Sequence, residues 1–284
     1  MFKVEKKKVL VVTLSCGEPQ FERCIKSVKD QLGVNCDIKV ISNKPNYDAH
    51  YELYDSINTA NKNYDYFVKL DADMEFSRLD SLSRVLDFFD ENVDHLTIPV
   101  HDYFVGGDTP AFHVYSNRAR FKVESIDHLY PDRLEVIYPG FRKNVKSSHH
   151  LVLHCNKPSQ GQAISFGIHR ALKLYQSGRP DFDPKDCLYH YRTICKVYEN
   201  FKKNDSDKNL EVALKSASEV LLRSSDSTMV HKKSFMMKSY DDYRSVHINE
   251  MFEKFSLFRL IRFIGFYKFS KGIAKVVLKS LLRN

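Results

Sequence analysis

The sequence predicts an α/β fold: an open, mostly parallel central sheet with helices on both faces, followed by a helical C-terminal region. Three observations predict it. Over roughly the first hundred residues, short β-rich apolar runs alternate with helical periodicities in the order βαβαβαβ. An acidic pair, Asp71 and Asp73, falls directly after the third apolar run, where open α/β sheets bind ligands. After the irregular, aromatic-rich stretch from Asp102 to Lys146, the pattern turns to helices.

Val9 to Leu14 is continuously apolar, as a strand buried on both faces should be. Glu18 and Pro19 then suit a helix first turn, and Phe21, Cys24, Ile25, Val28 and Leu32 recur on one helical face. Asp37 to Ile41 forms a second strand that ends in the turn cluster Ser42-Asn43-Lys44-Pro45. A helix over Ala49 to Asn61 turns Leu53, Ile57 and Ala60 inward, and Tyr64 to Leu70 is the third strand. Ser77 with Asp80 has the form of a capping box ahead of the face Leu79, Leu82, Val85, Leu86 and Phe89. His95 to Val100 is the fourth strand. Farther on, His150 to His154 alternates as a short strand, and Ala163–Gln176, Leu188–Phe201 and Leu210–Leu222 read as helices.

Composition narrows the class. A chain of 284 residues with 43% hydrophobic and 28% charged residues is globular rather than disordered. Its 16 Tyr and 20 Phe supply apolar area in the absence of Trp. The net charge of +8 is carried by Lys254, Arg259, Arg262, Lys268, Lys271, Lys275, Lys279 and Arg283, with no Asp or Glu after Lys254. The rest is near neutral, which argues against a nucleic-acid-binding surface. The six cysteines form no C-x-x-C pair, so zinc-ribbon and thioredoxin readings find no support, and free thiols in a reducing cytosol are expected. The apolar stretch after the N-terminal lysines is short for a signal peptide and reads as the first core strand. No run approaches the roughly 20 apolar residues that span a bilayer.

Asp71 and Asp73, two residues apart just past a buried strand, form a small hard-oxygen site. Such a site suits Mg²⁺ or Mn²⁺, with diphosphate oxygens completing the shell. Two further stretches give that pair a context. VLVVTLSCGEPQFERCIKSVKDQ, with its Cys24-Ile25-Lys26-Ser27-Val28-Lys29-Asp30-Gln31 pattern, resembles the opening of family 2 glycosyltransferases. YDYFVKLDADMEF looks like the strand and D-x-D motif of the same Rossmann-like GT-A fold.

The resemblance implies a nucleoside-diphosphate sugar donor, a divalent metal, and a glycan or lipid-linked acceptor, as in bacterial-type surface polysaccharide synthesis. It implies that Thr13 and Ser15 lie near the nucleotide, that Asn43 faces the base or ribose, that Asp71 approaches the ribose or metal waters, and that Asp73 ligates the metal. Where many relatives carry an Asp-Asp-Gly-Ser-like turn, this chain has Ser42-Asn43-Lys44-Pro45, which leaves the nucleotide open. Thr13 packing within its strand and Asn43 simply making a turn remain alternatives.

The resemblance also implies a late histidine as a further ligand. His154, at a strand end before Asn-Lys-Pro-Ser, is the choice over His149, His150 and His169. Lys157, Ser159 and Gln160 are candidates for diphosphate contact. An inverting transferase needs a carboxylate base. Asp102, Asp108, Glu124, Asp127 and Asp132 lie in the relevant interval, and Asp127, in its later half, is the choice. A retaining enzyme needs none.

The expected domains are 1–170, a nucleotide-sugar-binding catalytic domain; 171–250, a helical region; and 251–284, a basic amphipathic tail. In the tail, Lys268, Lys271, Lys275, Lys279 and Arg283 recur on one helical face, and Phe266, Phe269, Ile273, Val277 and Leu281 on another, with Gly265 and Gly272 as bend points. That is the pattern of an interfacial anchor on an anionic membrane and predicts a cytoplasmic, peripherally associated protein. A helix packed on the protein's own core is the alternative. Two other functions compete. A nucleotidyltransferase would carry a Gly-rich phosphate loop after the first strand, where only Gly17 stands. A non-catalytic membrane-associated protein could retain the fold. Nothing in the sequence decides the oligomeric state.

Overall fold

The structure is a computed structural model that describes residues 6–122, 136–137, 139–146, 149–176, 182–223, 247–252 and 256–281. The chain divides into two compact units, residues 1–103 with 107–157, and residues 104–106 with 158–284.

The first unit is the expected α/β layer structure. Its elements are β1 (Lys7–Ser15), α1 (Phe21–Lys29), β2 (Val34–Ser42), α2 (Asn46–Ala60), β3 (Tyr66–Asp71), β4 (Met74–Phe76), α3 (Ser81–Leu86), β5 (Val93–Asp102), β6 (Gly107–Ser116), β7 (Arg120–Phe121), β8 (Val136–Ile137), β9 (Phe141–Asn144) and β10 (Val152–His154). An eight-stranded mixed sheet runs in the order β2-β1-β3-β6-β5-β10-β4, with β9 beside β5. β1 pairs in parallel with β2 and β3, and β5 with β9 and β10. β6 runs antiparallel between β3 and β5, and β4 antiparallel to β10. The fourth strand read from the sequence is therefore not the neighbour of the third. The pairing of β6, inside the stretch with no readable periodicity, separates them.

Alternation along β1 explains the two layers. Val9 and Val11 face α1 and α3 in one core with Cys24, Val28, Leu82 and Val85. Leu10 and Val12 face α2 in another with Leu53, Tyr54, Ile57 and Phe67. One expected cap is absent. α3 starts at Ser81 and its N-cap, Asp80, makes no side-chain cap bond. Ser77 instead donates its hydroxyl to the His150 carbonyl at 2.6 Å. Leu79 and Leu32, read as core-facing, are exposed.

The second unit is helical: α4 (Gln160–Tyr175), α5 (Pro184–Lys203), α6 (Lys208–Arg223), α7 (Ile248–Phe252), α8 (Leu257–Ile264) and α9 (Phe266–Leu281). A true capping box opens α4, where Ser159 and Gln162 satisfy each other's backbone N–H groups. Gly167 brings α4 against α6; a Cβ there would fall on the Ala213 carbonyl and the Ser216 hydroxyl. The tail is helical as expected, and Gly265, at φ 91°, separates α8 from α9. Gly272 does not bend the tail; it lies inside α9 and packs against Phe182 and Pro184. The apolar stripe is also divided. Phe269 is buried against Phe182, whereas Phe266, Tyr267, Ile273 and Val277 are exposed. No helix among the described residues is long and apolar enough to cross a membrane.

Candidate active site and metal centre

The parallel strands β2, β1 and β3 end side by side, and this edge gathers several of the expected residues. Ser15 is in register with Ser42, and Leu14 with Asp71. The Asn43 N–H donates to the Ser15 carbonyl at 3.1 Å, and the Ala72 N–H to the Leu14 carbonyl at 3.2 Å. Asn43 adopts φ 55°, a left-handed turn conformation that asparagine tolerates. Ser15, Asn43 and Asp71 therefore line one carboxyl edge.

Their side chains differ in freedom. Asp71 is more than a third exposed, with Lys69 Nζ 3.3 Å away. The Ser15 hydroxyl donates to Glu18 at 3.0 Å and accepts from the Gly17 N–H. Glu18 also accepts from the Cys16 N–H at 2.8 Å, so it closes the turn between β1 and α1. Thr13 is fully buried, two residues back from the edge on the face toward α1.

Asp73 lies in the turn between β3 and β4, and its carbonyl accepts from the Cys155 N–H at 2.8 Å. This backbone clamp brings the end of β10 to Asp73 across 82 residues of sequence. His154 Nε2 then stands 3.4 Å from Asp73 Oδ2. On its other side, His154 Nδ1 meets Asp102 Oδ2 at 2.7 Å. Asp102 is the last residue of β5, is fully buried, and is in parallel register with His154. The Cys155 thiol donates to Asp73 Oδ2 at 3.2 Å.

The electrostatics follow from burial and these contacts. Burial raises the cost of ionising Asp73, but His154 and the Cys155 thiol outweigh it and hold the carboxyl down at about 2. Burial opposes charge on His154 as well. The neighbouring Cys155, Asp73 and Asp102 reverse that and raise it well above its ordinary 6.5. Desolvation pushes the Cys155 thiol up to about 12, so it keeps its proton in the metal-free chain.

These residues can hold a divalent cation. Two ligand atoms on one ion with bonds of about 2.1 Å lie about 3 Å apart, close to the 3.4 Å seen between Asp73 Oδ2 and His154 Nε2. With a carboxylate fixed on Nδ1, Nε2 is the nitrogen that would face an ion, the usual support for a ligating histidine. Cys155 completes the donor group with Asp73 and His154, all three ligand atoms lying within 4.8 Å of one another, and a bound cation would displace its thiol proton.

The expected pairing of Asp73 with a late histidine thus joins two residues in one place. Asp102, weighed from sequence only as a base, is instead enclosed and spent on His154. Its position at the end of a buried strand, on the carboxyl edge of the sheet, was the available signal. Ser159 uses its hydroxyl in the α4 cap, while Lys157 is exposed. Asp127, with Glu124 and Asp132, lies outside the described residues.

No protein-family model matches the sequence, and no curated protein matches it. Among solved structures, the chain is similar to A197 from STIV, at 16% identity over 38% of this chain and 64% of that one, with a TM-score of 0.30. A glycosyltransferase involved in glycosylation of the major capsid of PBCV-1 matches at 12% identity over 38% of this chain and 59% of that one, with a TM-score of 0.27. In both cases the match spans less than two thirds of the other protein's length. The mannosyltransferase PcManGT from Pyrobaculum calidifontis, solved with GDP-Man and Mn²⁺, matches at 10% identity over 88% of this chain and 89% of that one, with a TM-score of 0.37. These likenesses are remote, so the functional reading rests on the site's own residues.

Proposed function

We propose that this chain is a metal-dependent glycosyltransferase that moves a sugar from a nucleoside-diphosphate sugar to a glycan or lipid-linked acceptor, in synthesis of a bacterial-type surface polysaccharide. One observation carries the reading: Asp73 and His154 face each other at 3.4 Å beside the carboxyl edge of a parallel sheet, with buried Asp102 behind His154. Edges of this kind are where α/β sheets take nucleotides.

In this reading Asp73 and His154 hold Mn²⁺ or Mg²⁺, with Mn²⁺ better suited to the imidazole. The bound cation would offset charge growing on the departing diphosphate. Asp102 keeps the His154 ring oriented and its Nδ1 occupied. Asp71 reaches toward the ribose or the metal's waters, and Ser15 and Asn43 border the nucleotide on the adjacent strand ends. Thr13 supports that border from inside the sheet. Asp127 is the proposed base for an inverting reaction.

Residues 1–170 would form the catalytic domain, 171–250 a helical region, and 251–284 a membrane-associating tail at the cytoplasmic face. Exposed Phe258, Phe266, Tyr267, Ile273 and Val277, together with exposed Lys268, Lys271 and Lys275, support the last of these.

The test is a thermal-shift screen of nucleoside diphosphates with and without Mn²⁺, on the wild type and on Asp73→Asn. Stabilisation that requires Mn²⁺ and is lost in the variant is expected. Nucleotide binding that ignores both the metal and the substitution refutes the reading.

A further inference from the structure

A second cluster of metal-binding groups lies one residue away along β5. His101 precedes Asp102, so its side chain projects from the opposite face of the sheet. In the antiparallel β5–β6 ladder His101 is directly opposite Asp108, and side chains so paired share a face. His101 Nδ1 is 3.6 Å from Asp108 Oδ1. The third member, His150, comes from the turn before β10, with its Nε2 3.6 Å from the same Asp108 oxygen. The two imidazoles lie against each other with ring centroids 4.2 Å apart. All three ligand atoms fall within 4.8 Å of one another.

Two features set this cluster apart from a chance gathering of polar surface residues. His101 Nδ1 is buried and has no hydrogen-bond partner among the described residues, an unusual state for a polar atom beside a carboxylate. A separation of 3.6 Å is too long for the imidazole to bond Asp108 directly. The His150 backbone is also held in place. His149 and His150 both adopt left-handed conformations, at φ 47° and 57°, and the Ser77 hydroxyl pins the His150 carbonyl at 2.6 Å. Two successive left-handed residues other than glycine cost energy that the surroundings must offset. In this conformation His150 Nε2 lies 3.6 Å from Asp108.

We propose that His101, Asp108 and His150 form a zinc site, separate from the Asp73–His154 centre and on the other face of the sheet. Two imidazoles and one carboxylate are a borderline donor set that favours Zn²⁺ over Mg²⁺ or Mn²⁺. Tetrahedral Zn²⁺ with bonds of about 2.05 Å separates its ligand atoms by about 3.3 Å, so each histidine–aspartate edge needs to close by only about 0.3 Å. The bound ion would satisfy the orphaned His101 Nδ1 and tie the β5–β6 ladder to the turn entering β10. His154 follows that turn, so zinc here would brace the strand that carries the first centre's histidine. Three protein ligands leave a fourth position for water.

The proposal does not depend on the transferase reading, and one experiment separates them. Zn²⁺ is titrated calorimetrically into metal-free full-length chain, as wild type, Asp73→Asn, His150→Ala and Asp73→Asn/His150→Ala. His150 is well exposed, so its removal leaves no core cavity. A matching thermal melt in EDTA verifies the fold of each variant. Asp73→Asn should still take up one equivalent of Zn²⁺. Adding His150→Ala should weaken that uptake by at least the roughly 10–100-fold that losing even an outer-shell partner costs. Asp108→Asn in place of His150→Ala should do the same. Failure of Asp73→Asn to take up Zn²⁺, or uptake unaffected by His150→Ala, overturns the proposal. A wild type whose single Zn²⁺ vanishes in His150→Ala but persists in Asp73→Asn supports it, and tells against the first centre instead.

Discussion

Asp102→Asn tests the proposed metal centre at a residue that would touch neither metal nor substrate. The substitution keeps the shape and volume of a fully buried side chain, so no cavity accompanies it. What changes is the 2.7 Å bond to His154 Nδ1. Hydrogen bonds to a charged group contribute about 1.5–3 kcal/mol and neutral ones about 0.5–1.5 kcal/mol, so roughly 1–1.5 kcal/mol of support for the ring is lost. The amide can also turn its NH₂ toward Nδ1. The ring proton then moves to Nε2, and the ligand lone pair disappears. Both effects weaken metal binding, and partners of this kind typically contribute about 10–100-fold in affinity, or about 1.4–2.7 kcal/mol.

The assay is a Mn²⁺ titration of the full chain at several pH values, with a thermal melt in EDTA alongside. Wild-type affinity should rise with pH, because the metal displaces a proton from His154, whose proton affinity its two carboxylate neighbours raise. The variant should bind about 10–100-fold more weakly at high pH. Its pH dependence should also be shallower, since one of those carboxylates is gone. A variant with wild-type affinity and wild-type pH slope would refute the assignment of Asp102 as the residue that positions His154.

Asp73→Asn should abolish Mn²⁺-dependent nucleotide binding and turnover, measured as release of nucleoside diphosphate, while the melt in EDTA stays cooperative. His154 binds its proton more tightly when folded, so the stability it contributes is full below 6.5 and fades as pH rises through its elevated value. Asp73 has the opposite sign: its contribution is present above 3.8 and lost as pH falls toward about 2. The metal-free melting temperature should therefore be highest between these limits and fall in alkali, and Mn²⁺ should reverse the alkaline fall; a flat profile counts against both assignments. Gly167→Ala should lower the melting temperature, at a cost of roughly 1–3 kcal/mol for overpacking, because the new methyl meets backbone at Ala213. An unchanged melt would mean that α4 and α6 do not approach as described. Replacing exposed Phe258, Phe266 and Tyr267 by Ser should abolish the co-sedimentation with anionic vesicles that survives at high salt, where the lysines are screened, without changing the melt. Full-length wild type that stays in the supernatant would remove the membrane role.

The sequence by itself determined the elements whose signal is local. β1 is legible because a strand buried on both faces must be continuously apolar, and Val9 to Val12 is. α1, α5 and α6 are legible because 3.6-residue periodicity is written into neighbouring positions. The acidic pair stood out for the same reason, since it directly follows β3. Tertiary structure decided everything that depends on pairing between distant strands. It placed β6 antiparallel between β3 and β5, set Asp102 behind His154, brought His101 and Asp108 to His150, and buried Phe269 while exposing Phe266. Ser77 shows the same limit on a small scale. Its spacing to Asp80 promised a cap, but the nearby His150 carbonyl offered a better partner from 73 residues away. The physical reason is register: a one-residue slip of β10 against β5 would turn His154 to the other face and separate it from Asp102, and nothing local to either strand specifies that alignment.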